Sequence, residues 1–271
     1  MRKIRSVTDK LGRRLEIPVQ PERIVSLCPS QTETLFALGL KGRIVGRTRY
    51  CIHPADAVRE VAVVGGTKKV DISLVRALEP DLIIAEKEEN TPQDVQALSD
   101  IAPVYVTVIE SYEDALESIL ELGDITATSE VARQLVVEIE RTFARVPVAP
   151  SPLRVLYLIW RNPYMAAGNS TYIHSLLKKV GWTNVAATLE GRYPVLEDST
   201  LPLQPQVVLL STEPYPFQEK HFPEAQQRWP NALLYLVRGD YFSWYGVRMK
   251  EAALYLQELV PLLHSLVESH S

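Results

Sequence analysis

A chain of 271 residues with 46% hydrophobic and 23% charged side chains can bury one or two cores, and its composition is neither disordered nor fibrous. Its 29 basic and 33 acidic residues leave a net charge of −4, which gives no electrostatic footprint for DNA or RNA. The longest apolar runs, such as Val155–Trp160 and Val207–Leu210, fall well short of the roughly 18 residues a membrane span needs, so a soluble, non-spanning chain is expected.

Residues 4–19 alternate weakly about Asp9–Gly12 and predict a hairpin arm over 1–21, whose Arg and Lys excess reads as solvated surface. From Arg23 short apolar runs alternate with helical segments. Ile24–Leu27 predicts a strand, Ser30 to about Leu40 a helix and Ile44–Gly46 a second strand. Ser30 and Glu33 have the spacing of a capping box at that helix start. The rhythm continues with a helix over Asp71–Leu78, a strand over Asp81–Ala85, a helix from near Thr91 and a strand over Val104–Val108, which makes residues 22–110 an α/β lobe.

Two helices without an intervening strand follow, Tyr112–Leu122 and Ser129 to about Val146. The second is amphipathic through Val131, Leu135, Ile139 and Phe143 and stops at Pro147. Residues 111–151 therefore read as a helical spine. Over 152–271 the α/β pattern restarts, with strands Arg154–Trp160, Val207–Ser211 and Leu233–Val237, helices Thr171–Val180 and Glu219–Trp229, and a last helix from about Gly246 to His264. The fold class expected is two Rossmann-like α/β lobes with mainly parallel sheets, joined by one long helix, with a ligand cleft between them.

Strand-end loops are where such sheets bind ligands, and here they are rich in rings and charges: Arg49–Pro54, Glu86–Asn90, Trp160–Tyr164 and Gly239–Tyr245. Catalytic signatures are missing. There is no Gly-x-Ser-x-Gly, no Walker loop and no Gly-x-Gly-x-x-Gly, and Gly65–Lys69 reads as a simple turn. The five histidines show no metal-ligand spacing, so neither a catalytic residue nor a metal site is assigned. Cys28 and Cys51 form no Cys-x-x-Cys pair and are expected as free thiols. No apolar leader follows Met1, so the chain as written is either cytoplasmic or the processed form of an exported protein.

The segment Arg23–Glu33 (RIVSLCPSQTE), then Leu35–Leu40, Val45–Pro54 and the Leu78–Ala85 strand "L-x-P-D-L-I-I", resembles the substrate-binding proteins of ABC transporters in the cobalamin, siderophore and haem class. The resemblance covers nearly the whole chain. It implies a non-catalytic, extracytoplasmic, monomeric binder with no intrinsic cofactor, which captures a bulky metal chelate and presents it to an ABC permease. Matched to cobalamin-binding members, the ligand contacts fall at Tyr50, Glu86, Trp160, Tyr164, Arg192, Tyr193, Asp240, Tyr241, Phe242, Trp244, Tyr245 and Arg248. The permease-docking carboxylates fall at Asp198 beside Glu197 in the second lobe. In the first lobe the docking position is Pro92, with Glu88 and Glu89 near it, and Glu86 replaces a tryptophan of the cobalamin binders. A corrinoid is the leading ligand, a ferric siderophore or haem the alternative, and a leaderless cytoplasmic enzyme or chaperone on the same fold the second class.

Overall fold

The computed structural model describes residues 3–148, 151–197 and 203–270. The chain divides into two compact units. The first holds the chain up to Ile109, then Glu113–Ile139 and, from far along the sequence, Trp244–Arg248; the second holds Glu110–Tyr112, Glu140–Ser243 and the chain from Met249.

In the first unit, β1 (Ile4–Thr8) and β2 (Arg14–Pro18) form the antiparallel N-terminal hairpin. Its turn is held by Asp9, whose Oδ1 accepts from the amides of Leu11 (3.0 Å) and Arg13 (2.9 Å). The basic residues of the arm are not simply solvated. Arg13 binds Asp9 and donates to the Val104 carbonyl at 2.8 Å, Arg5 pairs with Asp124 at 2.9 Å, and Lys10 lies 2.8 and 2.9 Å from Glu117 and Glu121. The arm is thereby tied to the sheet edge and to a helix.

The sheet of this unit is wholly parallel. Its strands β3 (Ile24–Ser26), β4 (Ile44–Arg47), β5 (Ala62–Val63), β8 (Leu82–Glu86) and β9 (Val104–Thr107) lie in the order β5-β4-β3-β8-β9. A two-stranded hairpin, β6 (Gly65–Gly66) with β7 (Lys69–Val70), follows β5. The interior strand β8 is buried at every position, and that is why Leu82–Ala85 is continuously apolar instead of alternating. Helices α1 (Pro29–Ala37), α2 (Ala55–Val58), α3 (Ile72–Ala77) and α4 (Pro92–Ser99) follow the strands. Asp71 caps α3 by accepting from Ser73 and Leu74 amides, and Thr91 caps α4.

The expected capping box on α1 does not form. The helix starts one residue earlier, at Pro29, with Cys28 as its N-cap and no side-chain cap. Proline at the first helical position needs no donor, and Glu33 is drawn instead to Arg248. Helix α5 (Tyr112–Ile125) and helix α6 (Ser129–Phe143) come next, and the chain leaves the first unit inside α6, after Ile139.

In the second unit, β10 (Arg154–Trp160), β13 (Val207–Ser211) and β14 (Leu233–Val237) run parallel at the residues expected. The short β11 (Met165–Ala166) adds an antiparallel edge and β12 (Thr183–Asn184) pairs with the start of β10. Its helices are α7 (Tyr172–Lys179), α8 (Phe222–Arg228), α9 (Asp240–Ser243) and the 22-residue α10 (Met249–His270), which runs past Pro261 and beyond the expected end. β13 is buried throughout and packs with Leu156, Leu158, Phe217 and Trp229. Each such Val or Leu contributes about 1.5–3 kcal/mol by leaving water.

The strap Trp244–Arg248 is seated on α1. Gly246 has φ of 77°, and a Cβ there would lie 1.9 Å from Thr34 Oγ1, an atom already bonded to the Ser30 carbonyl and the Val247 amide. Gly246→Ala is expected to destabilise the protein by about 2 kcal/mol or more, read as a lower midpoint in urea unfolding. An unchanged midpoint would show that the strap contributes nothing to stability.

Candidate functional site

The carboxyl ends of the strands in each unit collect the residues singled out from the sequence. In the first unit Tyr50, in the turn after β4, is 55% exposed and offers a free ring. Cys51 beside it is buried, accepts a hydrogen bond from the Thr32 hydroxyl (3.1 Å) and shares one with the Thr48 hydroxyl (3.2 Å), and both Cys51 and Cys28 are free thiols. Glu86 ends β8 and is only 2% exposed. Its Oε2 accepts from the Glu88 and Glu89 amides at 2.7 and 2.8 Å, while Asn90 accepts from the Glu86 amide and donates to the Thr67 carbonyl. The 86–90 loop is thus folded onto its own acid. Burial and the neighbouring Glu88 and Glu89 charges push Glu86 up to about 7.

The strap adds Trp244, half-buried, with its ring edge-on to His53 at 5.6 Å. Tyr245 is buried with its hydroxyl 3.3 Å from Cys28 Sγ, and Arg248 is buried with its guanidinium forked onto Glu33 at 2.7 and 3.1 Å. Burial raises both the Tyr245 hydroxyl and the Cys28 thiol. Tyr245 and Arg248 therefore hold the strap in place, and a role in gripping a ligand directly does not fit their burial.

In the second unit Trp160 ends β10 with its ring 42% exposed and edge-on to Tyr215 at 5.7 Å. Below that pair Arg161 binds Glu224, Tyr215 lies 3.4 Å from His221 Nε2, and the His221 Nδ1 accepts from the Gln218 amide. Tyr164 lies in the core, parallel to Phe217 and edge-on to Trp229, and Phe242 is fully buried against Tyr157. Neither ring has a free face, which corrects the expectation that they stack on a ligand. Asp240 is gripped by Arg238 at 2.6 and 3.1 Å, and the Arg238 guanidinium covers the half-buried Tyr241 ring at 4.2 Å. Arg192 pairs with Glu110, and Tyr193 next to it is exposed.

Of the expected docking acids, Glu197 is exposed and Asp198 lies outside the described residues. Glu88 and Glu89 are half-buried around Lys68, whose Nζ donates to the Glu88 carbonyl. Sequence reasoning left out Tyr215, which packs edge-on against the exposed Trp160, and His221 next to it. The signal for Tyr215 was the alternating Pro214-Tyr215-Pro216-Phe217 run directly after the apolar strand Val207–Ser211. Among the described residues no group of three or more His, Cys, Asp or Glu side chains is placed to hold a metal ion, and no helix is long and apolar enough to cross a membrane.

Two outcomes follow from the buried charges. Arg248→Met leaves Glu33 without its guanidinium and is expected to cost about 3 kcal/mol in unfolding experiments, much of it recovered by adding Glu33→Leu. No recovery in the double variant would contradict a pairwise origin. Glu86 is raised on folding, so the stability it contributes is complete below its unfolded value near 4.5 and is lost as pH rises through about 7. Relative to Glu86→Gln, the wild type is expected to lose on the order of 2–3 kcal/mol over that window, measured by urea unfolding at a series of pH values.

A family profile described as periplasmic binding protein matches residues 24–223. The vitamin B12-binding protein of Vibrio cholerae serotype O1 is 27% identical over 203 residues, covering 72% of each chain. Among solved structures, the periplasmic vitamin B12 binding protein of Vibrio cholerae superposes with a TM-score of 0.74 at 22% identity, covering 91% of this chain and 99% of that one. The periplasmic haem binding protein of the same organism has the same TM-score and identity, covering 88% and 98%. The profile match extends over well more than half of the sequence, and the chain belongs to the periplasmic binding protein family.

Proposed function

We propose that the protein is the substrate-binding component of an ABC importer outside the cytoplasm, and that it captures a bulky metal chelate, with a corrinoid as the first choice. The observation that carries this reading is the pair of exposed rings at strand ends, Tyr50 in one unit and Trp160 in the other, in a chain of this family. Such rings give large contact area at low rotamer cost, which suits a flat, rigid ligand. Asp240 and Tyr241, prepositioned by Arg238, and the half-buried Trp244 extend the contact set. Among the docking acids Glu197 is exposed and suits a permease arginine.

The corrinoid choice is supported by the B12-binding relative, and haem is kept as a second reading because the haem-binding neighbour superposes equally well. Calorimetric titration with cyanocobalamin, cobinamide, haem and a ferric siderophore is expected to give one ligand with micromolar or tighter affinity, about −8 kcal/mol. Trp160→Ala should weaken that ligand by roughly 10- to 100-fold at unchanged stability. If none of the four binds below about millimolar concentration, the chelate reading fails.

A further inference from the structure

Glu86 and Cys28 leave the sheet of the first unit side by side. Ser26 of β3 pairs with Ile84 of β8 in parallel register, so two residues further on the two strands release Cys28 and Glu86 together. Tyr245, from the strap, closes over them through its contact with Cys28 Sγ. Glu86 Oε2 is satisfied by two amides, but Oε1 is buried with no hydrogen-bond partner among the described residues. An ionised oxygen there has lost its water and gained no partner, whereas a proton removes the charge that burial penalises.

The titratable and charged groups around it come from four elements. Its own loop supplies Glu88 and Glu89, the β6–β7 hairpin supplies Lys68, the β3–α1 junction supplies Cys28, and the strap supplies Tyr245. Lys68 acts on Glu89 and on the Glu88 carbonyl, while the charges of Glu89 and Glu86 both bear on Cys28 and Tyr245. The other strap contacts, from the Val247 amide to Thr34 and from Arg248 to Glu33, do not involve Glu86.

We propose that Glu86 is a proton-operated clasp for the strap Trp244–Arg248: protonated, it lets Tyr245 pack onto Cys28 and keeps the strap seated on α1; ionised, it places an uncompensated charge beside them and loosens the Tyr245 end. Burial and the two adjacent acids bring this change into the neutral range.

Hydrogen exchange on the full chain, without ligand, tests this from about pH 5 to about pH 9 after correction for intrinsic exchange. In the wild type the peptide spanning Trp244–Val247 is expected to gain at least about tenfold in exchange across the transition, and in Glu86→Gln to stay flat. A flat wild-type strap, or an equal step in Glu86→Gln, overturns the proposal. Tyr245→Phe keeps the acid and removes the hydroxyl, so it remains informative if Glu86→Gln folds poorly; its step should shrink, and a step of full size overturns the route through Tyr245. No chelate is present in the measurement, so its outcome is independent of the proposed ligand.

Discussion

The fork of Arg248 onto Glu33 joins residues 215 positions apart and brings Trp244–Arg248 onto helix α1. Both groups are largely withdrawn from water, so the pair is retained only because two charge-assisted bonds replace the lost hydration. Around it the packing leaves little choice. Gly246 sits where a methyl group would overlap Thr34, and the Thr34 hydroxyl is occupied by the Ser30 carbonyl and the Val247 amide. Tyr245 can cover Cys28 and the end of β8 only with this strap in place.

The two units treat charge at their strand ends in opposite ways. The second unit pairs its charges at short range, Arg161 with Glu224, Arg238 with Asp240 and Arg192 with Glu110. Those pairs stand partly in solvent, where they contribute little to stability but hold nearby rings in one orientation. The first unit instead buries an acid, a thiol and a phenol together at the end of β8 and β3, and all three are pushed up by burial. One arrangement prepositions a surface, and the other stores sensitivity to protons.

Much of the fold was legible because a parallel sheet covered on both faces needs continuous apolar strands, and Leu82–Ala85 and Val207–Leu210 are such runs bounded by turn residues. The α1 start was misread for a local reason. Ser30 and Glu33 satisfy a capping pattern, but the competing partner of Glu33 is 215 residues away and invisible to any short window. The site divides similarly. Tyr50 and Trp160 were found as strand-end rings and are exposed, whereas Tyr164 and Phe242, identical in sequence appearance, are core side chains because Phe217, Trp229 and Tyr157 close over them.

The sequence by itself determined the α/β class, the order of strands and helices, the family and the strand ends that carry rings and charges, since periodicity and turn chemistry are local properties. Tertiary structure alone decided which of those groups meet water. A ring or a carboxyl takes its role from what packs against it, and for Glu86, Tyr245 and Arg248 those neighbours come from strands and a strap far apart in the chain.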